Sequence, residues 1–506
     1  MTTLASNASA QTLAQTEQQP TGTLASQQPQ DLPETTRSLA SRFIILALCL
    51  AIVLSTLAFG AVHSWALALF YAGACAVLMA WCVDAWRTRA LRFSRNALQL
   101  PLAGLFLLGA VQLLPLGASD PATASALSVP ATRTLSLDPY STRFVLIQLA
   151  ALLIYFAAAL AFIDSPRRLR TVVRNIIIFG FALAVLSMIL SFISPQKVLG
   201  IRETRQSLGF GPFINRHHFA GYMELTLGLP LGLLFSGAIE RERRVLYILA
   251  AALMGIAIIL TNSRGGMLSL VFEIMFLVIV SGVRLKRGRD SQGGEKSTIR
   301  QLAKRAALGF AIVLALFFGV LFFGGEGALN RLVGTVSAED PTTGRIHFWR
   351  GTLGIIRDHP VIGAGLGSFS LAYTSYDRSN GVLFRLEQAH NDYLQLLSDA
   401  GIVGALLGLV FVALLFRLAL RRMESRNLFR RGVALGALAG CSAVLVHSFF
   451  DFTLHTTANA LLFLMLAALA TINGRVEQSP RHRYRHAHSS PGTTPAATQT
   501  NDAAAP

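Results

Sequence analysis

The sequence predicts an all-α integral membrane protein of about twelve transmembrane helices, with a large periplasmic loop that contains short helices. Composition is the first reason. The chain is 53% hydrophobic and only 14% charged, which leaves too little polar surface for a water-soluble protein of 506 residues. The second is spacing: apolar windows of about 17–20 residues recur along the chain, the length a helix needs to cross roughly 30 Å of hydrocarbon. The third is an alternation between strongly basic and neutral connections.

The spans are expected to begin near Phe43, Trp65, Leu98, Phe144, Asn175, Phe219, Val245, Gly266, Ala306, Ala400, Gly432 and Thr457. Residues 1–40, rich in Gln, Thr, Ser, Ala and Pro, read as a disordered cytoplasmic tail rather than a signal peptide. Residues 41–324 then hold the first nine spans, 325–399 the periplasmic loop and 400–474 the last three spans. Residues 475–506 form a second disordered cytoplasmic tail, basic and His-containing at "RHRYRHAH". In the periplasmic loop a first short helix is expected over roughly Gly344 to Arg357, followed by Gly-rich turns.

The net charge of +18 does not point to nucleic acid. About 25 of the 44 Lys and Arg residues fall in five connections: 87–95, 167–174, 241–244, 283–305 and 417–431. Under the positive-inside rule these face the cytoplasm and the anionic inner leaflet. Both termini are then cytoplasmic, which requires an even number of spans. Cys49, Cys75, Cys82 and Cys441 lie in apolar stretches and read as small core residues, with no disulfide framework and no metal spacing.

The opposite, periplasmic connections carry the unusual polar residues. Arg264 stands in "TNSRGGM", where the hydrophobic boundary is tight and a guanidinium needs a partner or a purpose. Its planar fork suits two oxygens of a phosphate. Arg202, Arg205 and Arg216 also run against the positive-inside trend. In "GFGPFINRHHFAGY", Asn215, Arg216, His217 and His218 stand at the entry to a span, placed either to cap and anchor it or to bind a ligand. His390, in "EQAHNDYLQLL", is the candidate base, because an imidazole takes a hydroxyl proton near neutral pH. Asn391 and Asp392 follow it at a helix start, where one polar residue must cap.

His447, Asp451 and His455 have the i, i+4, i+8 spacing of one helical face, read as a hydrogen-bonded cap before a metal site. Glu224 and Glu273 are acids within spans, either functional or paired with a nearby arginine that fixes helix register.

The segments "GFGPFINRHHFAGY", "TNSRGGMLSL", "RDHPVIGAGLGSF", "AHNDYLQLLSDAGIVG" and "HSFFDFTLHTTANALL" together resemble the O-antigen ligase and polymerase family of bacterial inner membranes. That resemblance implies a multi-span glycosyltransferase of the GT-C type in the inner membrane, with a periplasmic active site and no cofactor, metal or nucleotide sugar. The donor it implies is a glycan on undecaprenyl pyrophosphate, and the acceptor is lipid A core or a second lipid-linked glycan. It also implies His390 as the base and Arg205 and Arg264 as pyrophosphate ligands, with Arg216 sharing that contact. Asn215, His218 and Asn391 are expected to line the substrate, and Tyr373, Tyr376 and Trp349 either stack on sugars or pack. The chain departs from many members at "NRHHF", where they carry Pro-Asn or Asn-Pro-Asn.

The chemistry of the residues agrees with that reading. Cleaving a glycosyl–pyrophosphate bond leaves charge on the departing phosphate, which preorganised guanidinium groups stabilise. The open alternatives are a polymerase joining lipid-linked repeats, a protein O-glycosyl ligase, and a secondary transporter using Glu224 and Glu273. A transporter predicts paired broken helices and related halves, and no internal repeat is evident.

Overall fold

The computed structural model describes residues 38–118, 132–195, 197–203, 209–287, 345–377 and 386–472. The described chain is a helical bundle. Its helices are α1 (Leu39–Leu57), α2 (Ser64–Thr88), α3 (Gln99–Gln112), α4 (Pro139–Phe162), α5 (Pro166–Ile193), α6 (Arg216–Ser236), α7 (Arg244–Leu260) and α8 (Arg264–Arg287). They continue with α9 (Arg345–Asp358), α10 (Phe369–Tyr373), α11 (Asp392–Arg422), α12 (Leu428–His447) and α13 (Thr457–Thr471). The sheet content is two minimal antiparallel ribbons, Gly117–Ala118 against Thr132–Arg133 and Lys197–Val198 against Arg202–Glu203.

Among the described residues, nine helices are long and apolar enough to cross a membrane, while α3 and α13 are shorter apolar helices. Eleven of the expected span starts therefore coincide with a helix, and the one near Ala306 lies outside the described residues, as do residues 1–37 and 473–506. The loop helix expected from Gly344 appears as α9.

Two helices form the axis of the bundle. α6 is buried from His218 to Ser236, and α12 is buried over most of its length. Small residues let them approach: a methyl group on Gly228 would sit 2.3 Å from the Gly436 carbonyl oxygen, and one on Gly232 would sit 2.3 Å from the Gly436 nitrogen. Close backbone approach replaces the hydrophobic drive that helices lack within lipid. The outer helices instead turn leucines, isoleucines and phenylalanines outward, among them Leu69, Ile189, Phe192 and Leu409. Cys49 and Cys441 are buried as expected, but Cys75 and Cys82 are exposed. The core reading fails for those two because α2 lies at the periphery, where an outward-facing apolar residue meets lipid.

The Gly-rich segment after α9 is built to hold a break in α11. Gly401 interrupts that helix at φ 62°, ψ −162°. The freed backbone groups are taken up across the gap: Ile402 N–H donates to Pro360 O at 2.9 Å and Ala364 N–H to Ser398 O at 2.8 Å. The side-chain amide of Gln112 donates to the Ile362 and Asp399 carbonyls and its oxygen accepts from Leu366 N–H. A side chain at Gly401 would collide with the Val361 carbonyl at 2.4 Å. The break lets the first turns of α11, which follow His390 and Asn391, run at an angle to the membrane-spanning part.

Candidate active site

His390 immediately precedes α11 in a left-handed conformation, φ 52°. Few non-glycine residues adopt it, although His is among those that do. The neighbouring backbone explains it. Ala389 N–H donates to Gln395 Oε1 at 2.7 Å, and its carbonyl accepts from Trp349 Nε1 at 3.2 Å. Asn391 caps the helix by accepting from Tyr393 and Leu394 N–H, and its own amide donates to Phe449 O. With both neighbours fixed, the single left-handed residue throws the imidazole toward the turn after α12.

That turn carries Asp451, 1% exposed, around which the site is assembled. His390 Nδ1 lies 3.3 Å from Asp451 Oδ1, Arg345 Nη2 lies 3.4 Å from Oδ2, and His217 Nδ1 lies 3.9 Å from Oδ2. Arg345 also donates to the Phe450 carbonyl, and Phe452 N–H donates to Asp451 Oδ1. Burial would push the Asp451 carboxyl up, but the His390 hydrogen bond and the electrostatic influence of the neighbouring His217, His218 and His390 rings hold it well below the usual carboxylate range. It is therefore a carboxylate that accepts the His390 Nδ1–H and leaves Nε2 as the basic nitrogen. The His390 ring is 28% exposed and packs edge-on to Phe452.

Asp392 is the strut that brings the two segments together. Its carboxylate accepts from Ser448 Oγ at 2.7 Å and Leu454 N–H at 3.3 Å, and it lies 2.7 Å from His455 Nδ1. Its own N–H donates to Ser448 O. Partial desolvation lowers the affinity of His455 for a proton, but the Asp392 hydrogen bond and charge outweigh it, and the imidazole pKa is raised.

The histidine–aspartate–histidine spacing is thus not a helical face. α12 ends at His447, Asp451 lies in the following turn and His455 in a 3-10 turn, so the three part company. The apolar periodicity stops at Ser448, and a hydrogen-bonded turn takes over. His447 points into the bundle, its Nδ1 2.8 Å from Glu224 Oε1 with both side chains fully buried. The partner of Glu224 is this histidine rather than an arginine. Glu273 is fully buried too, and neither of its oxygens has a hydrogen-bond partner among the described residues.

Asn215 caps α6 by accepting from His217 N–H. His218 is turned inward, with Nδ1 2.8 Å from Thr456 Oγ1 and its ring edge-on to Phe452. Arg264 opens α8, and its buried Nη1 has no hydrogen-bond partner among the described residues. A buried guanidinium nitrogen left without a partner is costly to a fold, and its N–H donors suit an anion. Arg216 starts α6 and Arg205 lies outside the described residues. Tyr373 and Tyr376 stand apart: Tyr373 packs against Phe369 and over Gly351, and Tyr376 donates to Asp358 while covering Gly354. Trp349 holds the Ala389 carbonyl.

The structure therefore gathers His390, His217, Arg345 and Asp451, with Arg264 one residue from Ser263, which hydrogen-bonds His217. Arg345 and Ser263 carried no sequence signal of their own. Asp451 did, but for a helical face that does not form.

Residues 249–409 match the family model described as O-antigen ligase. That span includes Arg264, Arg345 and His390, and ends before Asp451. No curated protein matches the chain. The apolar helices and the match over residues 249–409 support a multi-pass bacterial membrane protein, and the match supports glycosyl transfer of the ligase or polymerase type.

Proposed function

We propose that this chain, with its O-antigen ligase domain over residues 249–409, moves a glycan from undecaprenyl pyrophosphate to a hydroxyl of lipid A core at the periplasmic face of the inner membrane. The observation that carries the reading is the pairing of His390 with the buried carboxylate of Asp451, which His217 links through Ser263 to Arg264, an arginine with an unpartnered buried nitrogen among the described residues. Asp451 holds the His390 ring with Nδ1–H toward itself, so Nε2 is free to take the proton of the acceptor hydroxyl. The acceptor oxygen then forms a bond to the anomeric carbon as the carbon–oxygen bond to the pyrophosphate breaks. The electron pair of that bond goes to the departing phosphate oxygen, where Arg264 stabilises it. Arg205 and Arg216 are assigned to the same anion. Attack from the face opposite the leaving group inverts the anomeric centre.

The side of the membrane follows from charge. The basic connections after α2, α6 and α11 lie at the end away from His390, and the positive-inside rule puts that end in the cytoplasm with both termini.

The test is a glycan profile of a deletion strain rescued with wild type or His390→Ala. Loss of the base is expected to reduce transfer by about 100-fold or more. Glycan accumulating on the lipid carrier with bare core identifies the ligase. A core bearing single repeats identifies a polymerase, and normal lipopolysaccharide in the deletion strain moves the acceptor to another polysaccharide or a protein. Full rescue by His390→Ala refutes the assigned base.

A further inference from the structure

Behind the site a file of polar groups runs inward from His217 to the centre of the bundle. His217 Nδ1 lies 2.8 Å from Ser263 Oγ, Ser263 Oγ lies 3.4 Å from His447 Nε2, and His447 Nδ1 lies 2.8 Å from Glu224 Oε1. Ser263, His447 and Glu224 are completely buried, whereas the His217 ring is 24% exposed. The mechanism above uses none of these four groups.

Proton counting gives the file a direction. Glu224 and His447 lie in membrane-spanning helices, where net charge is costly, so the pair is neutral as a whole. Either a carboxylate faces an imidazolium, or a carboxylic acid donates to the bare Nδ1 of a neutral imidazole. An acid proton on Oε2 would have nothing to bond, since that oxygen has no hydrogen-bond partner among the described residues. In both remaining arrangements His447 Nε2 carries a hydrogen. Ser263 Oγ accepts it, and also accepts Gly266 N–H at 3.1 Å. A hydroxyl has two lone pairs and one hydrogen, so the Ser263 hydrogen goes to the third neighbour, His217 Nδ1. That nitrogen is then bare, and the ring proton of His217 stands on Nε2, on the side away from Ser263.

The ring stands in a part of the site that carries cations. Arg264 follows Ser263 in the chain, and Arg345 shares the Asp451 carboxylate with His217. We propose that His217 binds the lipid-linked donor as a neutral hydrogen-bond donor, Nε2–H to a pyrophosphate oxygen, and that Ser263, His447 and Glu224 are positioning residues that fix this tautomer through it. The assignment rests on the glycosyl-transfer reading of the site. It adds to the arginines a donor whose direction is set from within the membrane.

The experiment uses the full chain in lipid nanodiscs with a polyprenyl-pyrophosphate-linked glycan and a lipid A core acceptor. Ser263→Ala is expected to raise the donor KM about tenfold with kcat within about threefold, because His217 then turns its Nδ1–H to Asp451 and presents a bare Nε2 to the phosphate. His217→Ala is expected to do the same, and the double variant to be no worse than either. His217→Gln, whose amide N–H reaches the Nε2 position, is expected to retain donor affinity that His217→Asn loses. Additive losses in the double variant overturn the relay, since a Ser263 that merely packed would cost the same in either background. The ¹⁵N spectrum of histidine-labelled protein reads the tautomer directly, with His217 assigned by the signal missing in His217→Gln. A Nδ1-protonated ring with transfer intact sinks the relay alone. A Nε2-protonated ring in a chain that transfers no glycan to any acceptor sinks the enzyme reading instead.

Discussion

The two ends of the bundle each carry a cluster of buried charge, and they are built differently. At the basic end Asp84 pairs with Arg92 at 3.1 Å, Arg92 with Asp164 at 3.2 Å, and Asp164 with Arg168 at 3.1 Å. Ser38 and Ser41 close the chain by hydrogen bonds to Asp84 and from Arg168. Two acids alternate with two arginines, so the charges balance and α1, α2, α4 and α5 are tied together. At the other end one carboxylate, Asp451, faces Arg345, His390 and His217, and Arg264, with its open nitrogen, follows Ser263, the hydrogen-bond partner of His217. That end has donors to spare. Both ends leave a buried guanidinium nitrogen without a hydrogen-bond partner among the described residues, Arg92 Nη2 at one and Arg264 Nη1 at the other. The first cluster cancels its own charge, whereas the surplus positive charge of the second suits an anion.

Substitutions at each end sharpen that contrast. The largest effect is expected from Asp451→Asn, which removes the carboxylate that orients His390: transfer should fall about 100-fold in a steady-state assay while the protein still folds. The Asp451 pKa is depressed, so its contribution is whole above the ordinary carboxylate range, about pH 4, and is lost only as pH falls through its lower native value. A loss of activity between pH 7 and 5 is therefore not the titration of Asp451, and a wild-type activity profile controlled by a carboxyl near pH 4 would contradict the assignment of Asp451.

Arg264→Lys comes next, expected to cost about tenfold in kcat/KM, because an ammonium makes one point contact where the guanidinium fork makes two. A lysine enzyme as fast as wild type would break the idea that the open Nη1 waits for phosphate. At the balanced end, Asp84→Asn leaves Arg92 short of a buried partner and should lower stability by about 3 kcal/mol, read as a drop in Tm, with transfer per folded molecule unchanged. A selective loss of activity there would erase the distinction between the ends.

The smallest effect concerns the strut. The raised pKa of His455 means that its pairing with Asp392 is fully present below the ordinary imidazole value, about 6.5, and is lost as pH rises through the raised one. Tm should therefore decline by a degree or two on the alkaline side, and His455→Gln should flatten that decline.

Most of the bundle was legible as sequence because lipid imposes a one-dimensional rule: an apolar run of sufficient length must be a helix, and its basic flank must stay inside. His390 was legible for a related reason, as a titratable ring standing just outside such a run. Asp451 was misplaced because a spacing of four says helix only while the helix lasts, and α12 ends at His447. Arg345 was invisible because an arginine in a polar loop has no pattern, and only folding sets it against a carboxylate about a hundred residues away. Glu224 was flagged but given the wrong partner, since its pairing with His447 depends on α6 and α12 lying in glycine-mediated contact. The sequence by itself determined the solvent each segment lives in, which follows from side-chain transfer energies alone. Only the tertiary structure decided which buried groups share a proton, because that depends on distances of about 3 Å between residues whose separation along the chain carries no information.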